Sequence, residues 1–275
     1  MTLSTRNNIY RAEIIFSFLC LVLCVIACAK LLPAYARMET ARRSGGLFQI
    51  LIGNIFSANF LAVHFGIVAL VLYSFLSIIF TYYFFEKTQS PEILFVMFFT
   101  VSFSAEVLRL VLPLGQMYEI SSLYSLMASR IILFARHFGL FSLFAASVFA
   151  VGYEVQRQRN VIMLIVVMAL IIAIGVPVDT QTWDTSLNTI NGYVSMFRLI
   201  EIGAFFITTV SFFIAAWSRG CREFIFIGAG SVLAFLGRTI LLSADSWVSL
   251  SIALLFLAAG TWLICTYLHK IYLWL

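Results

Sequence analysis

Hydrophobic residues form long unbroken runs along the chain and do not alternate with polar ones. A bilayer core is about 30 Å thick and a helix rises 1.5 Å per residue, so a crossing helix needs about 20 apolar residues. Alternating segments of about ten residues would instead indicate a membrane β-barrel. The pattern therefore predicts an all-α integral membrane protein, a polytopic bundle of about eight transmembrane helices. The predicted spans are 10–33, 60–85, 92–114, 125–152, 160–178, 194–217, 222–243 and 247–272.

The composition agrees with this pattern. The 275 residues are 63% hydrophobic and 11% charged, whereas globular proteins average about 45–50% apolar and about 25% charged residues. The four prolines (Pro33, Pro91, Pro113 and Pro177) fall at predicted span ends, where a missing backbone N–H is tolerated best. We expect membrane lipids as surroundings, no nucleic-acid partner and no separate soluble domain.

The first helix has two interpretations. Arg6 and Arg11 precede an apolar run that ends in Val25-Ile26-Ala27-Cys28, which is similar to a bacterial lipoprotein signal with its lipid-accepting cysteine. Either 1–34 is an uncleaved signal anchor, or residues 1–27 are removed and seven helices remain. In both cases an outer interfacial segment, 35–59, precedes a seven-helix transmembrane bundle, 60–275.

Loop charges predict the orientation. Basic residues lie in the loops 153–160 and 218–223 and near the C-terminus, while the loops 115–124 and 179–193 carry acidic residues without Lys or Arg. The positive-inside rule then predicts a cytoplasmic C-terminus in a plasma (inner) membrane. Arg37, Arg42 and Arg43 fall on the outer side in this arrangement. We expect 44–59 to lie along the interface as an amphipathic helix, with these arginines at lipid headgroups.

Ionisable residues inside the predicted spans are the main functional signal. Such a charge costs at least ~2.5 kcal/mol at the membrane centre and usually faces a bundle interior or marks a pathway. By their distance from the helix ends, these residues share one layer in the outer half of the membrane. Residues three apart on a helix can pair, which predicts the pairs Glu106–Arg109 and Arg198–Glu201. The seven residues are Glu106, Arg109, Arg130, Arg136, Arg198, Glu201 and Arg238.

This layer has five arginines against two glutamates. Buried arginine stays protonated, so the excess implies an anion, a wall of carbonyl groups or a water-filled cavity. Because the guanidinium fork fits carboxylates and phosphates, the sequence favours an anionic small molecule or lipid headgroup. Glu106 and Glu201 would be charge partners or would exchange protons. The predicted ligand-binding residues are Arg109, Arg136, Arg238, Arg130, Arg198 and His137.

Catalytic and metal signatures are missing from the sequence. It has no HExxH, no GxSxG and no carboxylate-rich cluster. Cys20, Cys24 and Cys28 share one helix face without histidine or carboxylate nearby, as is typical of helix packing. His137 lies near mid-membrane, and the only other intramembrane histidine, His64, is predicted to lie several residues shallower, so a haem held by two histidines is not expected. We therefore expect no enzyme, no catalytic residues, no metal and no cofactor.

These observations favour a transporter-like protein that binds an anionic small molecule or lipid headgroup, and transport of the bound molecule is an extension of this hypothesis. A stand-alone membrane receptor or sensor that signals through a partner is the first alternative. A non-catalytic subunit of a larger membrane complex, or a homo-oligomer, is the second. No residue pattern identifies a family.

Overall fold

The computed structural model describes residues 3–40, 59–86, 88 and 90–273. In this part of the chain, eight helical spans are long and apolar enough to cross a membrane, which confirms the helix count and the helical bundle. The third span is composite, because two α-helices flank a 3₁₀ helix, Ser102–Leu110, here called the 3₁₀ segment. The α-helices are α1 (Leu3–Thr40), α2 (Phe60–Phe85), α3 (Pro91–Val101), α4 (Val111–Met117), α5 (Ser122–Val151), α6 (Gln158–Gly175), α7 (Val194–Arg219), α8 (Glu223–Leu242) and α9 (Trp247–Leu273).

Local sequence signals set several helix ends. The Ser90 hydroxyl accepts a hydrogen bond from the Ile93 amide at 3.4 Å, and Pro91 occupies the first turn of α3. This is the usual role of serine and proline at a helix start. Gly152 and Gly220 end α5 and α7 with φ values of 118° and 65°. Glycine adopts this left-handed conformation without the strain of a side chain.

Successive spans run in alternating directions, so the bundle has two ends. At one end the Asn59 amide, before α2, donates to the Asp245 carbonyl, before α9, at 2.7 Å. At the other end Arg6 in the first turns of α1 donates to the Glu86 carbonyl, after α2, at 2.8 Å. We call the end with Asn59 and Asp245 the hairpin end, because a β-hairpin contacts Asp245 there. The end with Arg6 and Glu86 is called the opposite end.

A β-hairpin lies between α6 and α7, in the segment 179–193, where the sequence predicts a loop. Strands β1 (Val178–Trp183) and β2 (Thr189–Asn191) are antiparallel, with Val178 opposite Asn191. Residues 184–188 form the hairpin tip. The tip packs inward, with Leu187 only 3% exposed in an apolar cluster that includes Val107 and Leu110.

Several predicted boundaries are wrong. The first helix begins at Leu3 and ends at Thr40, so it extends beyond 10–33 at both ends. Pro33 and Pro113 lie inside α1 and α4, since a proline can be accommodated within a helix at the loss of one backbone hydrogen bond. The predicted interfacial helix 44–59 lies outside the described residues except for Asn59.

The third span is the centre of the bundle. Of its most apolar stretch, 94% is buried inside the protein, against 22% for the span of α6 and 17% for α7. It packs against α1, α2 and α5, while α6 and α7 both pack on α5 at the periphery. Ionisable residues of the third span are therefore surrounded by protein.

Helices α8 and α9 make the most extensive helix–helix contact in the described part of the chain. A Cβ on Gly237 would lie 2.6 Å from the Leu257 backbone nitrogen, and one on Gly260 would lie 2.5 Å from the Ala234 backbone nitrogen. Glycine is needed at both positions because the backbones touch there.

Candidate functional site

The 3₁₀ segment determines which way the charged residues of the third span point. With three residues per turn, residues i and i+3 lie directly above one another. Glu106 and Arg109 therefore form one column. Val107 and Leu110 belong to a second column, which packs in the same apolar cluster as Cys24 of α1.

Side-chain hydrogen bonds explain why the span changes its winding here. The Thr100 hydroxyl donates to the Met97 carbonyl at 2.8 Å, and the Ser102 hydroxyl donates to the Phe99 carbonyl at 2.7 Å. Such local bonds compete with the regular helical pattern. Gly139 allows the start of the 3₁₀ segment to lie close to α5, since a Cβ on Gly139 would lie 2.8 Å from the Cβ of Ser102.

Glu106 is the centre of the charged site. It is 1% exposed, and both of its carboxylate oxygens accept hydrogen bonds from Arg136 of α5, each at 2.7 Å. The Arg109 guanidinium lies 3.6 Å from the same carboxylate. A two-bond arginine–carboxylate pair is the strongest and most directional form of this contact. Glu106 thus joins the third span to α5.

The hairpin tip satisfies further donors of these two arginines. Arg109 donates to the backbone carbonyl of Ser186, and Arg136 donates to the Asn188 side-chain oxygen at 2.6 Å. The Asn188 amide nitrogen in turn donates to the Leu242 carbonyl at the end of α8, at 2.9 Å. A surface element therefore reaches into the bundle and binds its charged centre with neutral acceptors.

Asp184 organises the tip. Its carboxylate accepts hydrogen bonds from the backbone amides of Ser186 and Asn188, at 3.0 and 2.8 Å. Aspartate commonly closes tight turns in this way. The carboxylate also interacts electrostatically with Arg109 and Arg136, so the tip brings a negative charge to the site.

A second ion pair adjoins the first. Arg238 of α8 is 1% exposed and lies 3.4 Å from the carboxylate of Glu201 on α7. It also donates to the backbone carbonyl of Arg136 at 3.1 Å. This bond links α8 to α5 beside the Glu106–Arg136 pair. We call Glu106, Arg109, Arg136, Glu201 and Arg238 the arginine–glutamate cluster.

The charge balance differs from the sequence-based expectation. Three of the five predicted arginines are in the cluster and face two glutamates, and the exposed Asp184 carboxylate adds a weaker electrostatic interaction. The cluster therefore has an excess of one positive charge, where the sequence predicts about three. The backbone carbonyls of Ser186 and of Arg136 itself also accept hydrogen bonds from the arginines, as a carbonyl wall would.

The remaining predicted residues lie outside the cluster. Arg198 is exposed, and the described structure contains no ion pair between it and Glu201, because the Glu201 carboxylate faces Arg238. Arg130 is half-buried, with its Nε unpaired among the described residues. His137 is buried beside the cluster, but its Nδ1 is bonded to the Leu133 carbonyl of its own helix at 2.8 Å.

The residues of the hairpin tip that contact the cluster, Asp184, Ser186 and Asn188, were not predicted from the sequence. The available signal was the turn-forming cluster Asp184-Thr-Ser-Leu-Asn188 between segments rich in β-branched and aromatic residues, a pattern that indicates a hairpin. The sequence gives no sign that such a tip would insert between helices.

An apolar cleft is separate from the cluster. It has a volume of about 590 Å³ and lies between α5, α6 and α7, with Phe144, Leu164 and Ala204 among its lining residues. Both α6 and α7 pack on α5, and the cleft is the space between them. Its apolar lining fits hydrocarbon and contains none of the charged residues described above.

Comparison of the chain with protein-family models, with curated proteins and with solved structures finds no match.

Proposed function

We propose that the protein binds a small anion, such as a carboxylate metabolite or a phosphate-bearing headgroup, at the arginine–glutamate cluster, with the hairpin as a lid. The observation that carries this proposal is the pair of neutral acceptors, Ser186 O and Asn188 Oδ1, which the tip presents to Arg109 and Arg136. These two oxygens bind guanidinium N–H groups, whose fork-like geometry also fits a carboxylate or a phosphate.

Lifting the lid would change the charge of the site. Without Asp184 the cluster has three arginines against Glu106 and Glu201, and two guanidinium groups lose hydrogen-bond acceptors. An anion would restore both the charge balance and the acceptors. The tip thus competes with a ligand for the same donors, and ligand binding is coupled to hairpin position.

The orientation supports access from outside the cell. Arg157, Arg219 and Lys270 all lie at the opposite end, next to the ends of α5, α7 and α9. By the positive-inside rule the opposite end and the C-terminus face the cytoplasm of a bacterial-type plasma membrane, and the hairpin faces outward. Membrane lipids are the expected surroundings. Transport of the bound anion across the membrane would extend the proposed binding function.

A structural role is the competing function, and the pairing within the cluster favours it. The three arginines are held by Glu106, Glu201 and neutral acceptors of the protein without any external group. In that case the tip is a permanent clasp between the third span, α5 and α8. The two further alternatives are a receptor that signals through a partner protein and a subunit of a larger complex. In either case the hairpin tip would hold the same helices together beside the surface that contacts the partner.

The two functions predict opposite effects of weakening the tip. Asn188→Ala removes a hydrogen bond to a charged group, which contributes about 1.5–3 kcal/mol. We expect this variant to be less stable without ligand but to gain more stability than wild type from added inorganic phosphate or succinate, because an internal competitor is weakened. The measurement is thermal unfolding of the purified protein across a concentration series, with chloride at matched ionic strength as the reference.

Arg198→Gln is the control, since Arg198 is exposed and lies outside the cluster. It should respond to each anion as wild type does. An Asn188→Ala variant that is destabilised yet shows no anion response beyond that of chloride would overturn the binding proposal. The structural role of the hairpin tip would then be the remaining function.

A further inference from the structure

Helix α1 presents a polar face to the bundle over its first four turns. Arg6, Tyr10, Glu13 and Ser17 are spaced by four, three and four residues, so they share one side of the helix. All four are buried, with exposed fractions of 5%, 0%, 7% and 0%. The face starts at the opposite end, where Arg6 donates to the carbonyls of Phe85 and Glu86 at 3.3 and 2.8 Å.

Most polar atoms on this face have no protein partner. Among the described residues, both carboxylate oxygens of Glu13, the Tyr10 hydroxyl, and Nε and Nη1 of Arg6 are buried without a hydrogen bond. A buried polar group without a partner is costly, and one carboxylate with two such oxygens is rare in proteins. Groups of this kind are normally satisfied by internal water.

Hydroxyl groups continue the face toward the middle of the bundle. The Ser104 hydroxyl donates to the Ser17 hydroxyl at 2.8 Å and lies 2.8 Å from the Ser74 hydroxyl. Ser74 in turn donates to the Thr100 carbonyl at 2.7 Å. Ser104 belongs to the 3₁₀ segment, two residues before Glu106. Polar groups therefore extend from the opposite end to the level of the arginine–glutamate cluster.

Few other charges face Glu13. On its own helix it is flanked by Arg6 and Tyr10, and α2 contributes Tyr82, whose ring is 6.3 Å from that of Tyr10. The third span presents Ser104 to this face. Its acidic residues are engaged elsewhere, since Glu106 binds Arg136 and Glu92 accepts a hydrogen bond from Tyr272.

We propose that this face lines a hydrated path from the opposite end, with Glu13 as its proton-binding site and Ser17, Ser104 and Ser74 as its inner limit. A proton from hydronium forms an O–H bond with one Glu13 oxygen and leaves a water molecule behind. Membrane proteins use buried carboxylates in relays of this kind. The path goes beyond the proposed anion site, and no anion is needed to test it.

Cysteine accessibility tests the water. In a background without the native cysteines, Ser17→Cys should react with a charged, water-soluble thiosulfonate at least about tenfold faster than Phe16→Cys, because only hydrated thiols form the reactive thiolate. Phe16 is the matched control, since it is the neighbouring residue on the outer side of α1 and is 48% exposed. Equal rates at the two positions would overturn the hydrated path.

Infrared spectroscopy tests the proton site with all native cysteines in place. As the pH is lowered from alkaline to acidic values, the wild type should gain a protonated-carboxyl band that is missing from Glu13→Gln and shifts promptly in D₂O. A spectrum without a Glu13-dependent band, or a band unchanged by D₂O, would overturn the proton site. Neither measurement depends on anion binding, so this proposal and the proposed function fail separately.

Discussion

Replacement of Glu106 by glutamine tests how the charged centre stabilises the bundle. The substitution keeps the side-chain volume but removes the charge that faces Arg136 at two distances of 2.7 Å and Arg109 at 3.6 Å. Glu106 is 1% exposed, so water cannot replace it without local opening. Breaking a buried pair from one side costs about 3–5 kcal/mol, because the remaining charge stays buried.

Glu201→Gln is the matched control. Its carboxylate makes a single contact of 3.4 Å with Arg238, and its side chain is 30% exposed. Arg238 itself is 1% exposed and keeps its bond to the Arg136 carbonyl, so we expect a loss of about 1–3 kcal/mol, smaller than that of Glu106→Gln. Glu106→Gln combined with Arg136→Gln should be less destabilising than the sum of the two single variants, with a difference of about 0.5–3 kcal/mol.

The native cysteines provide the assay. Cys20, Cys24 and Cys265 are free thiols buried in the bundle, so a thiol-reactive fluorophore reports their exposure as the protein unfolds in mixed detergent micelles. The free energy of unfolding of each variant follows from the transition. A Glu106→Gln variant no less stable than Glu201→Gln, or strict additivity with Arg136→Gln, would refute the central role of Glu106.

Two further predictions concern the bundle. Gly237→Ala should separate α8 from α9 and cost about 1–3 kcal/mol, whereas Gly203→Ala, whose new Cβ would have no atom of a neighbouring helix within 4 Å, should not destabilise the protein in the same unfolding assay. The purified protein should retain residues 1–27, because Ser17 bonds to Ser104 in the centre of the bundle. Intact-mass spectrometry measures this, and a mass corresponding to a chain that begins at Cys28 would contradict it.

The helical spans were predictable because span length depends on local composition alone. The pairing of charges was predictable only in part. Three-residue spacing correctly predicted the contact of Arg109 with Glu106 but wrongly paired Arg198 with Glu201. The closer partner of Glu106, Arg136, and the partner of Glu201, Arg238, come from other helices. A helix has several faces, and three-residue spacing does not show which one meets a neighbour.

Glu13 was missed for a related reason. The predicted first span starts at residue 10, which places Glu13 in its first turn, where a carboxylate can reach water. The structure begins α1 at Leu3, which places Glu13 about three turns inside the helix. An error of seven residues in one boundary thus concealed a buried carboxylate.

The winding of the third span ties its length to its ion pairs. Nine residues at a rise of about 2.0 Å extend about 4–5 Å further than the same residues at the 1.5 Å rise of an α-helix. Rewinding them would shorten the span by that amount and turn α4 by about half a revolution relative to α3. Glu106 could not then keep both of its bonds to Arg136, so the length of the central helix and the closure of its salt bridge change together.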